Sequence, residues 1–200
     1  MLKAFQEKLT RLANDPQDPF RQRVTERVGP LEAPRTEAPL RRMILAMPDM
    51  LGQIASWSRE LGMPQPLKRA QVFALAYIVN PEDFLPEGAS GLYGYLDDAY
   101  IVAATYYRTM QEVGPAGLRP LTDNVSLALA VPEWVEAFRR YWPELAERID
   151  DLLDTHLDRP DARRMGNGRW LGSRRPVART LPCRHRYVRG SLCRAFSSAG

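Results

Sequence analysis

The sequence predicts an all-α fold: a small helical domain built on an antiparallel helical hairpin, with a flexible N-terminal arm and a disordered, basic C-terminal tail. Apolar residues recur every three or four positions in several stretches, no stretch alternates apolar and polar over the length of a strand, and prolines and glycines punctuate the gaps. Two hundred residues with 44% hydrophobic content suit one ordinary domain whose flanks need not join its core.

Leu2, Phe5, Leu9 and Leu12 lie at helical spacing and predict a short amphipathic helix over residues 2 to 12, one that needs a neighbour for stability. From Asp15 to Pro39, five prolines among few large apolar residues read as a linker, so residues 1–35 are expected to form a short helix and a Pro-rich arm. The domain proper is expected over residues 36–158. Met43, Ile44 and Met47 precede Pro48, and Leu51, Ile54, Trp57 and Leu61 continue the stripe to Gly62. Pro48 suits the first turn of a new helix, and Gly62 suits a C-terminal cap.

Leu67 to Val79 is apolar nearly all round beyond its first turn and predicts the central helix, buried on most faces. Leu92, Tyr95, Leu96, Ala99, Val102, Ala103, Tyr106, Met110 and Val113 gather on one face of a second helix, from about Leu92 to Val113, which should pack against it. Gly114-Pro115 stops that helix. Leu121 to Val131 predicts a short helix, and Pro132 opens a longer one carrying Trp134, Phe138, Tyr141, Trp142, Leu145, Ile149, Leu152 and Leu153. Pro143 lies inside this stripe, so a kink or restart is expected near Tyr141.

Charge divides the chain. Residues 159–200 hold 11 Arg, no Lys and one acid, a net of +10, which leaves the rest of the chain at −6 although the total is +4. Both cysteines, Cys183 and Cys193, fall in the same segment, so the body offers no thiol for a disulfide, a metal or covalent catalysis, and a cytoplasmic location is the simplest fit. The N-terminal residues lack the apolar core of a secretory signal. The longest apolar run, Ala70 to Val79, is about half of the ~20 residues that cross a bilayer as a helix, which leaves only a peripheral contact with the inner membrane open. Arginines with Trp170 and Tyr187 would let the tail bind nucleic acid without sequence preference. Its loss of periodicity and its Arg-only basicity fit better a GC-rich gene read out of frame beyond about Arg163, with a disordered basic arm as the alternative.

The densest local pattern is Tyr77 to Tyr100, with Asn80-Pro81-Glu82-Asp83-Phe84-Leu85-Pro86-Glu87 followed by Gly94-Tyr95-Leu96-Asp97-Asp98. Over about residues 43 to 112 this arrangement resembles the YkvA-like bacterial family of unknown function, with its Pro-x-Asp-Leu-Ile-Pro-Asp turn and Gly-Tyr-Leu-Asp-Asp motif. Phe84-Leu85 replaces the two aliphatics and Glu87 an Asp. The resemblance implies a small helical domain, a frequent association with membranes and no agreed activity. It marks Tyr77, Asn80, Pro81, Asp83, Pro86, Gly94, Tyr95, Asp97 and Asp98 as motif positions.

Two readings of the acids stay open. Asn80 can cap a helical turn, Pro81 suits its first position, and Asp83, Asp97 and Asp98 suit the positive ends of helices. Alternatively Asp83, Glu87, Asp97 and Asp98 converge on a divalent cation such as Mg²⁺, Mn²⁺ or Ca²⁺, or on a basic partner. The helical wheel places Asp98 at the edge of the apolar stripe and Asp97 well away from it, so one of the two at most should look into the hairpin. The spacing matches no EF-hand loop. No Ser-His-Asp order, Gly-rich phosphate loop or His-Glu-x-x-His segment occurs. His156, among Asp150, Asp151, Asp154 and Asp158, suits a solvated helix end better than a metal site. Of the clustered tyrosines, Tyr95 and Tyr106 belong to the packing stripe. The function expected is a helical interaction module, not an enzyme, that meets an unknown protein or a membrane surface at its acidic turn.

Overall fold

The computed structural model describes residues 2–60, 63–78, 84–85, 90–118 and 124–158, and among them it contains helices and no strand. In chain order these are α1 (Leu2–Ala13), α2 (Phe20–Val28), α3 (Ala33–Leu45), α4 (Met47–Glu60), α5 (Gln65–Tyr77), a 3-10 helix (Gly91–Tyr95), α6 (Leu96–Leu118), α7 (Val125–Tyr141) and α8 (Pro143–Asp158). The tail from Arg159 lies outside the described residues, as do Gly62, Asn80, Pro81, Asp83, Pro86 and Glu87.

The centre of the fold is α6, not α5 as the apolar run from Leu67 suggests. Every residue from Leu96 to Tyr106 is buried, and α3, α4, α5, α7 and α8 all pack against this helix. Ala99, Ala103 and Ala104 let neighbouring helices approach closely on several sides, which a strip of larger side chains would prevent. By contrast α5 buries one face, through Leu67, Ala70, Gln71, Ala74 and Tyr77, and leaves Val72 and Leu75 exposed. A run of small apolar residues fits a half-exposed helix as well as a buried one, so composition alone could not separate the two.

The expected linker from Asp15 to Pro39 is corrected by two helices. Phe20, Val24, Ala33, Thr36 and Leu40 are buried in α2 and α3, and Leu9 of α1 is buried with them. Residues 2–35 therefore contribute to the core and are not an arm. The prolines misled because four of the five lie outside helix interiors: Pro16 and Pro30 lie in turns, Pro19 precedes α2 and Pro34 opens α3. There the missing N–H costs nothing. Pro39 alone stands inside a helix, on its buried side.

Restarts at Pro48 and Pro143 are as expected, the second after Trp142 leaves helical geometry at φ −126°, ψ 54°. Gly114 breaks α6 with φ 72°, ψ 166°, beyond which helical backbone runs on to Leu118. Pro132 opens nothing. It lies within a single α7 whose N-terminus is capped by Asn124, Oδ1 accepting from the Leu127 amide at 3.0 Å. Leu127, Ala128, Val131, Trp134, Val135 and Phe138 form one buried stripe across it, and that burial outweighs the roughly 3 kcal/mol cost of an interior proline.

Candidate functional site

Asp97 is the organising residue of the motif. Its Oδ2 accepts the Tyr77 hydroxyl at 3.1 Å, the Phe84 amide at 3.0 Å and the Leu85 amide at 3.1 Å. The Tyr77 oxygen in turn accepts from the Phe84 amide at 3.1 Å. A carboxylate in the first turn of α6 thus ties the last residue of α5 to the connecting segment. Burial pushes its pKa above the ordinary aspartate value, against the opposing pull of the Tyr77 hydroxyl and of backbone groups of Leu85, Asp97 and Asp98. Phe84 completes the arrangement: it stacks on Tyr77 at 6.1 Å between centroids, and the Arg148 guanidinium of α8 lies 4.4 Å from its ring centre.

The wheel's placement of Asp97 away from the buried face is corrected. Asp97 and Asp98 are both 0% exposed, because α6 is enclosed on more than one side and has no solvent face in its first three turns. Oδ1 of Asp97 has no hydrogen-bond partner among the described residues. Asp83 and Glu87 lie outside those residues, and among the described ones no three His, Cys, Asp or Glu side chains stand together as a metal set. Tyr77, Gly94 and Tyr95 are likewise buried. The motif residues that are described therefore build the connection from within.

A second aspartate holds the other end of that connection. Asp18 Oδ2 accepts the Leu92 amide at 2.7 Å, while its Oδ1 accepts the Phe20 amide at 2.9 Å. Gly91 adopts φ +56°, and a Cβ there would collide with Asp18 Oδ2 and lie 3.0 Å from Pro19 Cδ. The glycine is required on both counts. Tyr95 packs edge-on against Phe5 of α1 at 6.0 Å, with the Lys8 ammonium 5.0 Å from its ring centre. Sequence reasoning missed Asp18 because it read as part of a linker, and no local signal tied it to residues 74 positions away.

A polar cluster that joins α6, α7 and α8 was also missed. Asp150 Oδ2 accepts from Arg139 at 2.9 Å and from the Tyr100 hydroxyl at 3.1 Å, and Asp150 Oδ1 accepts from Arg108 at 3.2 Å. Arg108 also reaches Asp154 at 2.6 Å. These bonds join α6, α7 and α8. Burial raises the Tyr100 hydroxyl well above the ordinary phenol range against the pull of Arg139, so the hydroxyl donates and does not ionise. Tyr100 stacks on Phe138 at 4.1 Å and is core. The His156 side chain lies outside the described set.

Comparison with known proteins agrees with this picture and adds no activity. Residues 68–104 match the model of a family described as "Protein of unknown function (DUF1232)", which fits the YkvA-like resemblance. The match runs from α5 through the connection and the first turns of α6, so the chain carries a domain of unknown function built around Asp97. It is also 62% identical over 29 residues to the "E3 ubiquitin-protein ligase RNF170" of Danio rerio, a stretch equal to 14% of this chain and 11% of that protein. The chain thus spans about a tenth of the curated relative it matches. No solved structure matches it. No helix among the described residues is long and apolar enough to cross a membrane.

Proposed function

We propose that this chain is a non-enzymatic helical interaction module that docks through the outer side of α5 and the connection after it. One observation carries the reading: Val72 and Leu75, one turn apart on α5, leave 65% and 38% of their surfaces open, on the helix where the family match begins. Asp97 clamps the adjoining segment, so a partner meets a preformed surface and loses little entropy on binding. Glu82, Asp83 and Glu87 are the other acids that the sequence places in the turn. Identity of 62% over 29 residues with a protein described as a ubiquitin ligase favours a portable docking element over an active site, since so short a stretch holds one helix pair at most.

A photo-crosslinker placed at Val72 tests this in cells. It should trap one discrete partner that Val72→Asp with Leu75→Asp abolishes, whereas trapping nothing, or the same products as a probe at Ser126, contradicts it.

A cation reading retains one supporting observation, the unpaired buried Oδ1 of Asp97 beside Asp98. Calorimetry with Mg²⁺, Mn²⁺ and Ca²⁺ tests it. Heat that is lost in Asp97→Asn would select a carboxylate site, and no heat with no thermal shift would dismiss it. Nucleic-acid binding belongs to residues 159–200 and should fall steeply with salt and vanish on truncation after Asp158.

A further inference from the structure

We infer that the corner between α2 and α3 is a docking point for an anionic lipid surface, independent of the α5 reading. Leu31 stands at its tip with 90% of its surface exposed, the most open of the large hydrophobic residues described. The tip is fixed: Gly29 turns the chain at φ 83°, and the Ala33 amide closes the turn onto the Gly29 carbonyl at 3.1 Å. Both flanking helices are anchored, through Phe20 and Val24 on one side and Ala33, Thr36 and Leu40 on the other. A leucine presented on a rigid corner keeps its side chain in water for want of any internal contact.

Positive charge surrounds it. Arg27 lies in the last turn of α2, Arg35 in the first turn of α3, and Arg140 in the last turn of α7. All three are exposed. The end of α7 is held at this corner by the Arg27 Nε bond to the Tyr141 carbonyl at 3.1 Å and by the Tyr141 hydroxyl bond to Glu32 at 2.7 Å. Arg27 thus faces a neutral carbonyl, and Arg140 lies over the Tyr141 ring at 5.2 Å, contacts that leave both charges uncancelled. Of the nearby acids, Glu26 is engaged by Arg23 at 3.6 Å, and Glu32, bonded to the neutral Tyr141 hydroxyl, keeps its negative charge, so the three arginines outnumber it.

An apolar tip ringed by guanidinium groups matches the layering of an anionic bilayer: the leucine enters the acyl boundary while the arginines stay among the headgroup phosphates. Nucleic acid offers the same phosphates and nothing for an aliphatic side chain. A leucine has no flat face on which bases stack.

The Arg-rich tail would bind anionic vesicles by itself, so the test must read the corner directly. In the full chain with Cys183→Ser and Cys193→Ser, an environment-sensitive dye is attached at Leu31→Cys or, as a control, at Ser126→Cys. Vesicles of phosphatidylcholine with phosphatidylglycerol should blue-shift the dye at position 31 and not at 126, and phosphatidylcholine alone should shift neither. Arg35→Glu with Arg140→Glu should suppress the shift, whereas Val72→Asp should leave it intact. In the unlabelled chain Leu31→Glu should lower the partition into anionic vesicles roughly tenfold. Flotation without a shift at 31, equal shifts at both sites, equal response to neutral lipid, or an unchanged partition for Leu31→Glu overturns the inference. A shift at 31 produced equally by a duplex oligonucleotide overturns the lipid assignment in favour of nucleic acid.

Discussion

At the scale of single residues, Asp97 acts by accepting the backbone amides of the connection. Asp97→Ala takes the acceptor from the Leu85 amide and the Tyr77 hydroxyl and leaves the Phe84 amide with the Tyr77 oxygen alone, and denaturant unfolding should show a loss of about 3 kcal/mol. Asp97→Asn keeps an acceptor oxygen and should cost less, while changing the pH dependence. Because burial raises the Asp97 pKa, its ionisation opposes folding: the contribution is complete below about pH 4, the unfolded value, and is lost as pH rises through the raised folded value. Urea titrations across that range should show stability falling with pH from this group in the native chain and a flatter curve in Asp97→Asn. Gly91→Ala forces a side chain into a positive φ and against Asp18, and a drop of about 2 kcal/mol in unfolding free energy is expected. The acids themselves were legible in the sequence as helix-end residues, but Asp97 accepts amides of the connecting segment and not those of its own helix. Their burial was not, because a helical wheel assumes one buried face and α6 has several.

At the scale of elements, the sequence revealed where helices stop better than how they are arranged. The restarts at Pro48 and Pro143 and the break at Gly114 follow from backbone chemistry local to each residue. The rank of α5 and α6 does not, since it depends on which helices surround them. Val72 and Leu75 make the consequence testable. With both side chains open to water, Val72→Asp and Leu75→Asp together should shift the unfolding free energy by about 0.5 kcal/mol or less. A buried central helix at these positions would instead lose several. Circular dichroism during urea unfolding distinguishes the two, and a preserved fold is also what permits the double variant to report on docking alone.

At the scale of the whole molecule, α1 to α3 complete the core and position the connection from outside it: Asp18 takes the Leu92 amide, and Phe5 packs on Tyr95. Leu9→Ala should therefore destabilise the entire cooperative unit by about 3 kcal/mol, where a free N-terminal arm would give a change near zero. Prolines concealed this in the sequence, since a proline at a helix start and a proline in a linker have the same neighbours in composition and differ only in burial. The network of Arg108, Arg139 and Asp150 joins three helices and was illegible for a related reason: its members look like solvated charges until the chain folds.

The central claim is that Asp97 clamps the connection between α5 and α6, and amide hydrogen exchange of Phe84 and Leu85 tests it most directly. The native chain should protect both amides, and Asp97→Ala should release them while amides deep in α6 stay protected. Rapid exchange of both in the native chain, unchanged in the variant, would contradict the account.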